Sequence, residues 1–230
     1  MQAIDVMTPH VVSARPEMTV REVAALLVEH GLSGAPVIDA HGRLVGMISD
    51  GDLLHRVEVE TEKPRRPWWL EMLSARRDAA DYVKAHARQV KDLMTERVIT
   101  VDETMPLDQV ANLLETHHIR RVPVMRGDQV VGIVSRANLV QALAIEPLER
   151  TPQEVESDRE IRAMLMGEIA GRPWAFAGHN ITVQNGIVHL WGYYVWSADQ
   201  VQAMRVAAEG IAGVKAVVDH TGAPPLVIGL

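Results

Sequence analysis

The sequence predicts an α+β chain: two copies of a β-α-β-β-α unit packed as a pair, followed by a smaller α-β-β-α-β unit. Three observations predict it. The chain repeats itself, with Met7-Thr8 recurring as Met94-Thr95, Leu26-Leu27 as Leu113-Leu114, Pro36-Val37 as Pro123-Val124 and Val45-Gly46 as Val131-Gly132. Each copy sets one segment of helical period among short apolar runs of strand length. After Glu146 the repeat stops, and an Asn185-Gly186 turn between two alternating runs marks a separate hairpin.

Each element has a local justification. The apolar runs 11–13 and 98–101 are expected as extended entry strands. Thr19 stands three residues before Glu22, the spacing at which each side chain satisfies the other's backbone N–H. Val23, Leu26 and Leu27 then share one helical face. Gly31 supplies a stop, because glycine enters the left-handed region without a Cβ clash. In the second copy Pro106 suits a first helical turn, and Val110, Leu113 and Leu114 repeat the face. Strands are expected at 35–38 and 43–48, and again at 122–125 and 129–134, with second helices opening at Asp50 and Arg136. A unit of about 50 residues is small for an independent core, so the copies should complete each other. The expected domains are 1–58 and 90–146 for the repeats, 59–89 for a helical insert, 147–155 for a linker and 156–230 for the smaller unit.

Composition excludes several classes. The 230 residues carry a formal net charge of -7, against the basic footprint that phosphate neutralisation demands, so nucleic acid is not an expected partner. There is no cysteine, which removes disulfide and thiolate chemistry. The N-terminus lacks a basic region ahead of an apolar run, and no apolar stretch has the length of a membrane span, so a cytoplasmic location is expected.

Met-Thr near the start of each copy, the Pro-Val strand, and Gly46-x-x-Ser49-x-x-Asp52 after the hairpin resemble the CBS domain. Two such units in one chain resemble the paired arrangement called a Bateman module, over residues 1–144 apart from the insert. The resemblance implies a regulatory homodimer rather than an enzyme. It requires no cofactor and takes an adenosyl nucleotide (AMP, ADP, ATP or S-adenosylmethionine) as regulatory ligand.

Ser49 and Ser135 stand between a strand and a helix, where a hydroxyl caps the helix and the residue three places on, Asp52 or Asn138, closes a capping box. That local role alone accounts for the pattern. A helix N-terminus also offers free N–H groups to phosphate, and a carboxylate accepts hydrogen bonds from vicinal ribose hydroxyls. Gly46 and Gly132 are expected to let a ligand approach the backbone. The resemblance implies that adenine lies on the entry strand and the Pro-Val strand of the other repeat. One expected set is then Ser49 and Asp52 with Ile99, Val101 and Val122; the other is Ser135 and Asn138 with Val12, Ala14 and Ala35. Asn138 departs from the pattern, being neutral and bringing an NH₂ donor. Arg120 and Arg136, with Arg121 alongside, stand where phosphate contacts are expected, and guanidinium forks suit phosphate oxygens. The first set should therefore read ribose and the second depend on phosphate. His117 and His118 are adjacent and share no helical face, so no metal set is assigned. No Walker loop, HExxH or nucleophile elbow occurs, and no catalytic residue is assigned.

The insert holds Trp68, Trp69 and Leu73, expected to cover the module or a dimer contact, with partner docking or a phosphate clamp as alternatives. In the last unit Ser157 and Glu160 fit a capping box ahead of Ile161, Leu165 and Ile169; the hairpin 181–191, a helix 198–209 and a strand 213–219 follow. Asn185-Gly186-Ile187-Val188, Leu190-x-Gly192 and Gly213-Val214-x-x-Val217 resemble the BON domain, which implies envelope or phospholipid contact. The segment has no basic excess, so contact with an unknown protein partner is at least as well supported as contact with a membrane. The apolar tail 224–230 is expected to pack as an edge or interface segment. Two functions are therefore expected in competition: a nucleotide sensor that signals through the BON-like unit, or a nucleotide-independent scaffold that holds a protein or membrane surface through that unit and the tryptophan insert.

Overall fold

The computed structural model describes residues 1–9, 11–54, 89–145, 151–175, 180–192 and 196–222. The Trp68-Trp69 insert, the start of the linker and the apolar tail lie outside the described residues. The chain divides into two compact units. Val11–Thr100 with Met125–Val131 form a repeat-one unit; Met1–His10, Val101–Val124 and Gly132–Leu230 form a repeat-two unit that includes the C-terminal domain.

In the repeat-one unit, helix α2 (Val20–Glu29) starts on the expected box: Glu22 N–H donates to Thr19 Oγ1 at 3.2 Å, and Thr19 N–H donates to the Glu22 carboxylate at 2.7 Å. It buries Val23 and Leu27 and stops where Gly31 turns at φ +61. Strands β1 (Gly34–Ile38) and β2 (Leu44–Ser49) pair antiparallel, with Gly34 facing Ser49 and Ala35 facing Ile48. The entry run is not a full strand. Only Ala14 pairs, donating to Pro36 O and accepting from Ile38 N–H, both at 2.9 Å. Pro16 and Pro36 have no N–H, so the ladder cannot lengthen.

The start of the second copy completes this unit. A 3-10 turn, Val90–Asp92, and Leu93 place Val90 and Leu93 in one cluster with Ala14, Val23, Leu27, Ala35, Val37 and Ile48. Thr95 and Met47 exchange two backbone hydrogen bonds, at 2.8 and 3.0 Å. The Met94 side chain lies on Gly46, where a Cβ would come within 2.9 Å of Met94 Cγ.

The repeat-two unit repeats this with the start of the first copy. Helix α1 (Ala3–Val6) precedes Met7 on Gly132, where a Cβ would come within 2.7 Å of Met7 Cγ. Thr8 and Ile133 exchange backbone bonds at 2.8 and 3.1 Å. Strand β3 (Val101–Asp102), helix α3 (Leu107–Thr116), strands β4 (Arg121–Arg126) and β5 (Gln129–Ser135) and helix α4 (Arg136–Ala144) follow, with sheet order β3-β4-β5. Pro106 is the cap before α3 rather than its first residue, and β3 is two residues long where four were expected.

The leading segments 3–8 and 90–95 pack on the other copy's body, which is how the copies complete each other. One reading is corrected here. Gly46 and Gly132 serve methionine, not a ligand: the missing Cβ is the space that Met94 and Met7 fill.

In the C-terminal domain, helix α5 (Pro152–Ile169) starts earlier than expected. Thr151 is its cap, boxed with Glu154, and Pro152 takes the first position, where no donor is needed. Ser157 and Glu160 sit inside the helix, and 152–155 is helix rather than linker. Strands β6 (Ile181–Gln184) and β7 (Ile187–Trp191) pair antiparallel, and β8 (Ala216–His220) pairs parallel to β7. Asn185 and Gly186 have φ +53 and +75, as a two-residue hairpin turn demands. The Asp158 carboxylate accepts both turn N–H groups at 2.8 Å. Helix α6 (Ala198–Glu209), capped by Ser197, closes a core around Leu165, Ile181, Leu190 and Met204.

At the end of β7 and β8, His220 stacks on Trp191 at 4.0 Å between centroids, and His189 Nδ1 lies 3.0 Å from His220 Nε2. Burial pushes both imidazoles below the ordinary histidine range; for His189 the neighbouring His220 adds to this, while for His220 Asp219 opposes it. The unfolded chain therefore binds more protons than the fold. The stability this supplies is present above about pH 6.5 and is lost as pH falls through the lower folded values.

Three outcomes follow from these contacts. Gly132→Ala should cost about 1–3 kcal/mol in urea unfolding, because Met7 must move. Gly167→Ala, on α5 with nothing within 4 Å, should be neutral or stabilising by up to about 1 kcal/mol. The urea midpoint read by tryptophan fluorescence should fall on acidification below about pH 6.5, and His220→Gln should flatten that slope.

Candidate functional site

Each repeat ends its hairpin in a strand-to-helix corner held by the same backbone bond. Asp50 N–H donates to Ser33 O at 3.2 Å, and Arg136 N–H donates to Arg120 O at 3.1 Å. The corner serine is therefore fixed against the preceding loop before any side chain acts.

In the repeat-one corner, Ser49 N–H and Oγ–H both donate to Asp52 Oδ2, at 2.8 and 2.7 Å. The carboxylate is held by one oxygen; among the described residues Oδ1 has no partner. Val12 is half-buried, Ala14 and Ala35 are buried, and Ile99 is half-buried in the same unit. The register places Ala35 opposite Ile48, next to Ser49.

The repeat-two corner keeps the bond pattern and changes its chemistry. Ser135 N–H and Oγ–H donate to Asn138 Oδ1 at 2.8 and 2.7 Å. Asn138 Nδ2 donates to Val6 O at 3.0 Å, and the residue is 1% exposed. Only one amide orientation satisfies both sides, and a carboxylate could not make the second bond. The amide expected at a ribose is thus engaged at both ends within its own unit. Arg120 and Arg136 are exposed on residues joined by the corner bond, while Val101 and Val122 are buried in the same unit. Ser33 and Asp50 of repeat one are Arg120 and Arg136 here, so an anionic corner becomes a cationic one.

The two expected sets each draw on both units. The structure gathers Ser49, Asp52, Val12, Ala14, Ala35 and Ile99 in the repeat-one unit, and Ser135, Asn138, Arg120, Arg136, Val101 and Val122 in the other. His117 ends α3 and His118 follows at φ +53. Among the described residues no cluster of three or more His, Cys, Asp or Glu is placed to hold a metal ion, and no helix is long and apolar enough to cross a membrane.

Comparison with known proteins places this architecture. The CBS-domain model matches residues 3–59 and 90–145, and the BON-domain model matches 157–221. An uncharacterised protein of Methanocaldococcus jannaschii is 30% identical over 133 residues, covering 53% of this chain and 79% of its own length. The chain is a CBS-domain protein. It carries two CBS repeats and a C-terminal BON domain. The chloroplast CBS domain-containing protein CBSX1 of Arabidopsis thaliana is 36% identical over 142 residues, which cover 58% of each chain. The solved structure of CBSX2 in complex with AMP is 32% identical, covers 64% of this chain and 99% of that one, and superposes with a TM-score of 0.55.

The CBS corners were legible from the Ser-x-x-Asp and Ser-x-x-Asn spacing. The partner of Asn138 was not, because Val6 lies more than 130 positions away. The two corner substitutions should separate cleanly. Asn138→Asp removes the donor to Val6 and should cost about 1–3 kcal/mol. Asp52→Asn keeps an acceptor for Ser49 and should stay within about 0.5 kcal/mol in the same denaturation assay.

Proposed function

We propose that the chain is a regulatory sensor of an adenosine nucleotide of the AMP class rather than an enzyme, with the Ser49–Asp52 corner as its ribose reader. One observation carries the reading: the Asp52 carboxylate is fixed through Oδ2 by two donors from Ser49, and among the described residues its second oxygen has no partner and can face vicinal hydroxyls. Its support outside the chain is the 32% identical CBSX2 structure, which holds AMP. Arg120 and Arg136 offer two guanidinium forks to phosphate oxygens at the second corner. Ser135 adds to that corner through the N-terminus of α4. The apolar backbone around Val12, Ala14, Ala35, Ile99, Val101 and Val122 supplies surface for adenine. ADP, ATP and S-adenosylmethionine present the same ribose and compete as ligands.

The reading includes a homodimer and a protein partner reached through the BON domain. Residues 151–230 hold five basic and eight acidic side chains, a poor match to an anionic lipid surface. Asn138 is engaged inside its own unit, so the second corner depends on phosphate, through Arg120 and Arg136, rather than on ribose.

Thermal shift of the full chain tests the reading. AMP at about a hundredfold over its dissociation constant should stabilise by about 2.7 kcal/mol. Asp52→Ala should abolish the shift, and Arg120→Gln with Arg136→Gln should weaken AMP, ADP and ATP while leaving adenosine unchanged. No shift with any adenosyl compound would favour the nucleotide-independent scaffold.

A further inference from the structure

The leading segment 2–8 is gripped from two directions. From the second CBS repeat, Asn138 donates to Val6 O at 3.0 Å, and Thr8 exchanges two backbone bonds with Ile133. From the BON domain, helix α5 reaches the segment with two arginines. Arg159 donates through Nε to Asp5 Oδ1 at 2.6 Å and through Nη2 to Gln2 Oε1 at 2.8 Å. Arg162 donates through Nη2 to Met7 O at 2.6 Å and through Nε to Ile181 O, the first residue of β6, at 3.0 Å.

Val6 and Met7 are neighbours, so these bonds form one path. It runs from the motif helix α4 through Asn138, the Val6-Met7 backbone and Arg162 to the BON sheet. Arg162 is 7% exposed. Burial pulls its guanidinium down to about 10, which leaves it charged at neutral pH. A buried cation depends on its acceptors, so one guanidinium holds Met7 O and Ile181 O in a fixed relation. A cavity of about 400 Å³ adjoins the segment, lined by apolar Ile4, Met7 and Met166 and by the charged Asp5, Arg159 and Arg162 that hold it.

We infer that segment 2–8 is a strap that couples the second CBS motif to the BON domain, with Asn138 and Arg162 as the positioning residues at its two faces. A change at the N-terminus of α4 reseats Val6 and Met7, and Arg162 passes the change to Ile181. Its trigger, a nucleotide at Ser135-Arg136, rests on the proposed function; its mechanics do not. Coupling of this kind is reciprocal.

Amide hydrogen exchange on the full chain tests the strap in both directions. Asn138→Asp should speed exchange at 181–184 tenfold or more. Arg162→Met should speed exchange at 135–139 by a similar factor. Val28→Gly, an exposed substitution on α2 that lowers helix stability outside both probed segments, should do neither at an equal unfolding midpoint. Effects confined to the mutated side, or matched by Val28→Gly, would overturn the strap. Saturating AMP should slow exchange at 181–184 in the wild type and not in Arg162→Met. An AMP response at 135–139 that never reaches 181–184 would also overturn it. No AMP response anywhere, with the reciprocal mutant effects intact, would overturn the nucleotide reading alone.

Discussion

A methionine lying on a glycine, with a threonine bridged to the next strand residue, is the contact on which the module depends. It occurs twice, as Met94 on Gly46 with Thr95 bridged to Met47, and as Met7 on Gly132 with Thr8 bridged to Ile133. Each time the methionine belongs to one copy and the glycine to the other. A repeat of about 50 residues cannot bury enough surface alone, and borrowing the other copy's leading segment supplies the missing wall. Val90 and Leu93 fill the repeat-one core in this way, and Ala3 and Val6 are fully buried in the repeat-two unit.

The exchange also sets the chemistry at the corners. β2 and β5 are each pinned at the residue after the glycine, two places before the serine, so the same backbone bridge precedes both strand-to-helix turns. With the backbone fixed alike, the side chains are free to diverge. Repeat one keeps an acid whose Oδ1 has no partner among the described residues. Repeat two places two arginines at its corner and turns the acid into an amide that reaches back to Val6. One scaffold thus carries an acidic corner and a cationic one, and the second is bonded to the leading segment that Arg159 and Arg162 also hold.

Local signals made most of the elements legible. The Thr19–Glu22 box, the Gly31 stop, the Asn185-Gly186 turn and the spacing of Ser49 from Asp52 each act within a few residues, and each appears as expected. Long-range partners were hidden. Nothing near Gly46 says that Met94 fills its space, and nothing near Asn138 names Val6. The start of α5 was missed because two capping boxes compete in one stretch; Thr151-Pro152 prevails over Ser157 since proline at the first position commits the chain to helix there. The entry strand was over-read because apolar character was visible while the missing donors of Pro16 and Pro36 limit the ladder. Arg159 and Arg162 gave no sign of a role, since an arginine on a polar helix looks solvated until its acceptors are known.

An engineered disulfide tests the exchange most directly, since the chain has no cysteine of its own. Thr8 and Ile133 are an antiparallel pair that exchanges both backbone bonds, which puts their Cα atoms about 5.5 Å apart and within disulfide reach. Thr8→Cys with Ile133→Cys, oxidised at low protein concentration and read by intact mass and non-reducing mobility, should give a bond within one chain. A chain that stays reduced, or links only to a second copy, would contradict the exchange and with it the account of both corners.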